Sequence, residues 1–239
     1  MATLEENVRQ VNSDFKAIRN KIVECGVEVA DGTRTSEYAN KVGKVYEAGK
    51  KSEYDAFWDA FQVNGTRTNY RQAFINEGWT AENFKPKHPF DNVLDAYAMF
   101  KASKITYLPS INVSNSTVQL YAMCDECKFL EEIEECTLSE NNTFNYTFSN
   151  CPKLKKLIIK GTIGQNGFST NGSPLLSKES IVSIINALSS TTSGLLVKLS
   201  KTSVNAAFET ASGKKDGSES AEWKALIAPK QENWEIQLA

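Results

Sequence analysis

The chain has 239 residues, of which 41% are hydrophobic and 23% are charged, a composition typical of a globular protein. The 27 basic and 29 acidic residues leave a net charge of −2, so we expect no nucleic-acid partner. No apolar run reaches the roughly 18 residues of a membrane span, so no membrane partner is expected, and a single histidine argues against a His-rich metal site.

The first predicted element is an N-terminal coiled coil over residues 1–30. Its apolar residues recur at spacings of four and three, and they are Leu4, Val8, Val11, Phe15, Ile18, Ile22 and Cys25. A seam of two positions in seven is typical of a coiled coil, whereas a helix that packs on its own domain has a wider apolar face. We therefore expect this helix to anchor and oligomerise the chain, with packing on its own domain as the alternative. Phe15 needs more room than a two-stranded seam gives, which favours a homotrimer.

Residues 31–98 are predicted to form a helical neck. A helical pattern begins near Ser36 and ends near Phe61 in an aromatic stripe that we expect to lie in the core. Residues 64–68, Asn-Gly-Thr-Arg-Thr, predict a tight turn before a further helix. His88 lies between two prolines in a connector that cannot be helical, and it has no evident partner. A structural or exposed role is therefore expected for His88, rather than catalysis.

The region 99–239 contains a repeating pattern. Apolar or cysteine positions recur at a 24-residue offset in the pairs Leu120 and Phe144, Cys124 and Phe148, Cys127 and Cys151, Leu130 and Leu154, and Ile133 and Leu157. A period of 20–29 residues with a Cys or Asn position before Leu-x-x-Leu is typical of leucine-rich repeats. In such repeats each unit stacks on its neighbours to build a continuous core. We therefore predict a short leucine-rich-repeat solenoid here.

The C-terminal part of this region is expected to cap the solenoid. Ser177 predicts the N-cap of a helix, and the predicted elements are a helix over 178–188, a strand over 195–199, helices over 204–210 and 221–228, and a strand over 234–238. The predicted fold class is therefore α+β. It combines an N-terminal coiled-coil helix, a helical neck, and a short leucine-rich-repeat solenoid with an α/β C-terminal cap.

Two segments carry a resemblance to known families. Residues 148–157, Phe-Ser-Asn-Cys-Pro-Lys-Leu-Lys-Lys-Leu, resemble the BspA-like leucine-rich repeat, as do residues 121–127. The chain from Tyr54 to Ala239 resembles short repeat proteins of phages and prophages of gut Firmicutes, for example at residues 53–58 and 158–164. The resemblance implies a structural protein of the virion tail, assembled in the bacterial host cytoplasm. It also implies a tail fibre or baseplate receptor-binding component that contacts other virion tail proteins and attaches to the host surface through its repeat domain.

Exposed polar and aromatic residues near the predicted strands are the candidate contacts with a host-cell glycan or protein. They are Tyr107, Gln119, Tyr121, Glu132, Glu134, Asn142, Asn145 and Tyr146. We expect no enzyme, no catalytic set, no cofactor and no metal. The acidic run Glu131–Glu135 is more typical of a solvated patch than of paired catalytic carboxylates. Cys124, Cys127, Cys136 and Cys151 could form a zinc site, but several share repeat positions with apolar residues, which favours core cysteines.

Two other functions stay open on this evidence. One is a purely architectural virion protein, such as a head, neck or collar fibre without host contact. The other is a prophage-encoded adhesin, which would need an export signal and a wall anchor, and the acidic N-terminal residues are not typical of a signal peptide. A glycan hydrolase would instead require a pocket with two carboxylates about 5–10 Å apart.

Overall fold

The computed structural model describes residues 13, 16–20, 22–23, 57–63, 65–114, 119–208 and 216–239. Near the N-terminus the described residues are helical, and Ile18 and Ile22 are buried in the same hydrophobic core as Phe57 and Trp58. The prediction of a long N-terminal coiled-coil helix is wrong for the described residues, because both of these seam side chains are already covered within one chain. The other seam residues, Leu4, Val8, Val11, Phe15 and Cys25, lie outside the described residues.

The prediction of a helical neck is also wrong where the structure describes it. Within residues 57–98, the described helical residues are 57–61, and turns and isolated bridges follow them. Backbone groups here bond to a distant part of the chain rather than to the next helical turn. The Gln72 N–H donates to the Tyr97 carbonyl over 2.9 Å, and the Phe74 N–H donates to the Met99 carbonyl over 2.8 Å. Of the expected turn at residues 64–68, residues 65 and 66 are in a turn and Asn64 lies outside the described residues, and no helix directly follows among the residues described.

The described regular elements are short strands and short helices. The strands are β1 (Tyr107–Leu108), β2 (Ile111–Asn112), β3 (Gln119–Tyr121), β4 (Glu132–Leu138), β5 (Thr143–Asn145), β6 (Lys156–Gly161), β7 (Ser169–Thr170), β8 (Leu195–Leu199) and β9 (Trp234–Leu238). The α-helices are α1 (Lys178–Ala187), α2 (Lys201–Ala207) and α3 (Ala221–Ile227), with 3₁₀ turns at Gly217–Glu219 and Ala228–Lys230. No helix among the described residues has the length and apolar character needed to cross a membrane.

The strands form three separate sheets with parallel pairing. β4 pairs with β1, β2 and β6; β3 pairs with β5; and β8 pairs with β7 and β9. The fold is therefore α/β, and the predicted α+β class with a continuous leucine-rich-repeat solenoid is wrong. The physical reason lies at β6, where hydroxyl groups of helix α1, rather than a further strand, accept the backbone N–H groups of Leu157 and Ile159.

The repeat offset of the sequence corresponds to the register of two strand pairs. Leu120 of β3 lies opposite Phe144 of β5, and Ile133 of β4 lies opposite Leu157 of β6. A register shift after Ile133 then places Cys136 opposite Ile159. Side chains at equivalent positions therefore lie next to each other and are buried together, since partners in a sheet point to the same face.

Between the strands, turns stack on one another through non-glycine residues with positive φ. Gln72, Ala98, Ala122 and Tyr146 have φ values between 48° and 55°. The Ala98 N–H donates to the Tyr121 carbonyl over 2.8 Å, and the Ala122 N–H donates to the Asn145 carbonyl over 2.7 Å. Each turn thus bonds to the next one along the chain, which aligns the side chains that precede these positions.

The part of the core that residues 57–100 form is densely aromatic, and we call it the aromatic part. Phe74 stacks on Phe100 with ring centroids 5.3 Å apart and planes inclined by 9°. Trp58 packs against Phe61, Phe74, Trp79 and Phe84. The predicted aromatic stripe is therefore confirmed as core for Phe57, Trp58 and Phe61, which are buried.

The C-terminal elements confirm most of the sequence predictions. Ser177 caps α1, where its hydroxyl oxygen accepts the Ser180 N–H over 3.2 Å. The strands β8 and β9 and the helix α3 begin where they were predicted to begin. Helix α2 begins three residues before the predicted start, because the Ser200 side chain provides its N-cap.

Candidate ligand-binding groove

The candidate contact residues fall on two different sheets. Tyr107, Glu132 and Glu134 lie on β1 and β4, where the Tyr107 hydroxyl donates to Glu134 over 3.1 Å. A second set lies on or next to the sheet of β3 and β5 and consists of Gln119, Tyr121, Asn145 and Tyr146. These residues are therefore not one surface, and each sheet has to be considered as a separate candidate.

Asn142 was predicted to be a surface contact, and this prediction is wrong. The side chain is fully buried. Its amide nitrogen donates to the Val113 carbonyl over 3.0 Å, and its Oδ1 accepts the Ser139 N–H over 2.7 Å. Asn142 therefore holds the turn between β4 and β5 and has no accessible polar group to offer a ligand.

Two carboxylates of the acidic run Glu131–Glu135 form ion pairs at the surface. Glu131 and Glu132 form ion pairs with Lys155 and Lys156, each with an N–O distance of 2.7 Å. The Lys155 ammonium group is the main cause of the lowered pKa of Glu131. The Glu132 partner lies directly across the ladder, since Glu132 and Lys156 are opposite in register. Each of these two carboxylates is therefore engaged by a lysine at or just before β6.

His88 has a partner, contrary to the sequence-based expectation. Its Nε2 lies 2.6 Å from Oδ1 of Asp59, and the Lys87 ammonium group pairs with the other carboxylate oxygen. The hydrogen bond from Lys87 is the largest effect that lowers the pKa of Asp59. The Gln62 side chain also bonds to the backbone of Lys87 and His88. This cluster fixes the proline-containing connector to the helical residues 57–61.

The four described cysteines are confirmed as core side chains. They are Cys124, Cys127, Cys136 and Cys151, all free and buried. The Cys127 thiol donates to the Phe100 carbonyl over 3.0 Å, and the Cys151 thiol donates to the Cys124 carbonyl over 3.1 Å. Burial raises the pKa of Cys136 to about 12. Within the described ranges, no group of His, Cys, Asp and Glu side chains could hold a metal ion.

The stacked turns align Tyr97 with Tyr121, and Tyr146, which follows the equivalent Asn145, lies beside Tyr121. We call these three side chains the tyrosine row. The Tyr97 and Tyr121 rings stack with centroids 5.0 Å apart and planes inclined by 7°. The Tyr146 ring meets Tyr121 edge-on at 6.1 Å, and 57% of Tyr146 is exposed. At the other end of the row, the Arg71 guanidinium group lies over the Tyr97 ring, 4.0 Å from its centroid. Stacking leaves Tyr146 as the ring of the row with the most surface available to a ligand.

Sequence reasoning missed Tyr97, although a signal for it was present. Tyr97 precedes Tyr121 by the same offset that relates β3 to β5 in the strand register. The period was traced through apolar positions, and Tyr97 lies within the segment assigned to the neck. Extending the period to polar and aromatic positions would have placed Tyr97 beside Tyr121.

A cavity of about 420 Å³ opens at the Tyr146 end of the tyrosine row, and we call it the polar groove. Its polar and aromatic lining includes Asn145, Tyr146, Asn150, Ser169, Asn171 and Lys198. These residues come from β5 and the turn after it, from the β7 region, and from β8. The groove thus joins the sheet of β3 and β5 to the C-terminal sheet.

Glycines allow the two sides of the groove to approach each other. Gly167 has a φ of +96°, and a Cβ added to it would lie 2.2 Å from the Phe144 carbonyl oxygen. A Cβ on Gly172 would lie 2.8 Å from the Asn150 backbone nitrogen. Side chains at these two positions would therefore push the β7 region away from the β5 region and change the shape of the groove.

The groove is rich in amides and contains no carboxylate among its lining residues. An asparagine offers both donors and an acceptor. Some of this capacity is used within the protein: the Asn150 amide donates to Asp125 over 3.3 Å, and Oδ1 of Asn171 accepts the Ser169 hydroxyl over 2.9 Å. The side-chain N–H groups of Asn171 and the exposed Asn145 side chain are available to a ligand.

A second cavity of about 430 Å³ lies between β6 and α1. It contains Lys160, Glu179, Ser183 and Asn186. The Ser183 hydroxyl already accepts the Ile159 N–H over 3.0 Å, and it donates to the Ser180 carbonyl over 2.8 Å. Because its central hydroxyl holds the helix to the strand and no aromatic ring lines it, this cavity is the weaker candidate.

Comparisons with known proteins give no match. No family model matches the chain, and no curated protein or solved structure matches it significantly. The polar groove and the tyrosine row are therefore the features whose chemistry indicates what the protein binds.

Proposed function

We propose that this protein binds a saccharide of the host-cell surface and serves as an attachment component of a phage virion. The observation that carries the binding proposal is the position of the exposed Tyr146 ring at the rim of an amide-rich groove. A sugar ring has an apolar C–H face and a rim of hydroxyl groups. An aromatic ring can cover the apolar face, and amides can donate to and accept from the hydroxyl groups.

The shape of the site also supports a saccharide. A volume of about 420 Å³ falls within the range of about 300–1,000 Å³ usual for small-ligand sites. The stacked Tyr97 and Tyr121 rings continue from Tyr146 along the stacked turns. A saccharide longer than the groove would therefore meet further aromatic surface along the tyrosine row.

The virion part of the proposal comes from the sequence. It draws on the resemblance of the chain from Tyr54 to Ala239 to phage and prophage proteins. Immunogold labelling of particles induced from a strain that carries the gene tests this part separately. Label at the tail is the expected result, and particles without label would contradict it.

Binding to an array of neutral, amino and acidic saccharides tests the binding proposal with the full-length protein. We expect Tyr146→Ala to weaken the binding of the best saccharide by about tenfold or more, because loss of an aromatic contact costs about 1.4 kcal/mol or more. Tyr107→Ala is the matched control, since Tyr107 is also exposed but lies on β1.

The control variant also decides between the two sheets that carry candidate contacts. Tyr107→Ala should bind as the wild type does, and both variants should retain the wild-type melting temperature. The proposal fails if the wild type binds no saccharide, or if Tyr107→Ala loses binding while Tyr146→Ala retains it.

A further inference from the structure

We propose that the saccharide in the polar groove is acidic and that its carboxylate or phosphate group pairs with Lys198. This inference rests on the proposed function and specifies the chemistry of the ligand. Lys198 differs from the other half-buried lysines of the described residues in having no partner for its ammonium group.

Five lysines among the described residues are half-buried, and they are Lys101, Lys104, Lys156, Lys198 and Lys230. Three of them pair with a carboxylate: Lys101 with Asp125 at 2.9 Å, Lys104 with Glu77 at 2.8 Å, and Lys156 with Glu132 at 2.7 Å. The Lys230 ammonium group donates to the Leu188 carbonyl. Among the parts of the chain that the structure describes, Lys198 is the one half-buried lysine without such a partner.

A half-buried ammonium group without a partner has lost part of its hydration without compensation. An anion that enters the groove would supply that compensation. The lining of the groove contains no Asp or Glu side chain that would repel this anion. The positive charge of Lys198 and the absence of carboxylates from the lining therefore favour an acidic ligand in the polar groove.

The neighbours of Lys198 fit this assignment. Lys198 lies opposite Ser169 in the parallel pairing of β7 and β8, so the two side chains are adjacent. The Ser169 hydroxyl donates to Oδ1 of Asn171, which leaves the side-chain N–H groups of Asn171 as donors. An acidic substituent beside Lys198 would thus meet a cation and amide N–H groups. The sugar ring that carries the substituent would extend toward Tyr146.

The test measures the affinity of the full-length protein for two matched pairs of probes. The first pair is oligogalacturonate and its methyl ester, and the second is phosphorylated mannan and unphosphorylated mannan. We expect the wild type to bind at least one acidic member about tenfold more tightly than its uncharged partner, since a hydrogen bond to a charged group is stronger than one between neutral groups. The pair that shows the preference identifies carboxylate or phosphate as the anion.

Lys198→Gln should abolish the preference and leave the binding of the uncharged probe within about twofold. Lys160→Gln is the matched control, because Lys160 is an exposed lysine of the other cavity, and this variant should retain the preference. Rising salt should weaken acidic binding by the wild type and not by Lys198→Gln.

The outcomes separate this inference from the proposed function. Equal binding of the acidic and uncharged probes, with loss of both in Tyr146→Ala, would overturn the acidic ligand and keep saccharide binding. A preference that survives in Lys198→Gln would also overturn the role of Lys198. Absence of binding to all four probes and to the saccharide array would overturn both proposals.

Discussion

Gly161 illustrates, at the residue scale, how close backbone approach restricts the sequence. Its φ is +74°, and a Cβ added to it would lie 2.0 Å from the Leu138 carbonyl oxygen. Gly194 has almost the same φ, +73°, but no atom lies within 4 Å of its added Cβ. Alanine substitutions at these two glycines therefore distinguish the free-energy cost of a left-handed backbone from the cost of steric overlap.

We expect Gly161→Ala to lower the free energy of unfolding by about 3 kcal/mol or more, because backbone strain and overlap with β4 act together. Gly194→Ala should lower it by about 1–2 kcal/mol, the cost of a left-handed alanine alone. Urea denaturation of both variants and the wild type measures the difference. Equal losses in the two variants would contradict the close approach at Leu138.

Single residues also mark the limits of prediction from sequence. The burial of Cys124, Cys127 and Cys151 followed from their repeat positions, because positions one repeat period apart share one face. Asn142 was misassigned because an asparagine that holds a turn and an asparagine that contacts a ligand have the same sequence signal. The partner of His88 could not be predicted, since Asp59 is distant in sequence and meets it only in the folded chain.

Helix α1 closes the edge of β6 at the scale of secondary-structure elements. The Leu157 N–H donates to the Ser180 hydroxyl over 2.9 Å, and the Ile159 N–H donates to the Ser183 hydroxyl over 3.0 Å. Ser180 is fully buried. Two hydroxyl groups thus take the place that carbonyl groups of a further strand would occupy.

We expect Ser180→Ala to lower the free energy of unfolding by about 1–3 kcal/mol, because the Leu157 N–H then stays buried without an acceptor. Amide hydrogen exchange at Leu157 should be faster in Ser180→Ala than in the wild type. Ser193→Ala is the control, since Ser193 is exposed and lies outside α1, and it should change stability by less than about 0.5 kcal/mol. Unchanged exchange at Leu157 in Ser180→Ala would contradict this role of the hydroxyl.

Elements with local signals were the predictable ones. The capped helix α1 and the strands β8 and β9 carry their own start signals and alternation in the sequence. The neck was predicted as helix because helical spacing and the spacing of stacked turns both bring apolar residues to one side. The two structures differ in their backbone hydrogen bonds. The N–H groups of Gln72 and Phe74 donate to carbonyls of the next stacked turn, which is distant in sequence.

One hydrophobic core extends through the part of the molecule that the structure describes. It includes Ile18 near the N-terminus, Trp58 and Phe100 in the aromatic part, and Trp234 in the last strand. Residues from all three predicted domains therefore contribute to the same core. The heptad seam was interpreted as an interface between chains because the sequence does not indicate which apolar surface covers Ile18 and Ile22.

The buried thiols offer a test of this shared core at the scale of the molecule. In a Cys25→Ser background, we expect Cys124, Cys127, Cys136 and Cys151 to be unreactive toward a thiol reagent in native buffer. Their burial and the raised pKa of Cys124, Cys136 and Cys151 keep the reactive thiolate scarce. In urea all four should react in one transition that coincides with unfolding. Fast reaction of one thiol in native buffer would contradict a single cooperative core.

The parallel pairing of the central strands has a kinetic consequence. β1, β3 and β4 each pair with a strand that lies about one repeat period further along the chain. The chain entropy lost in closing each of these loops is therefore nearly the same, since it depends on loop length only logarithmically. Topology alone gives no pair an advantage in forming first. The starting point of folding is then set by side-chain chemistry, and we expect the first lasting contacts to form where Trp58, Phe74 and Phe100 pack densely.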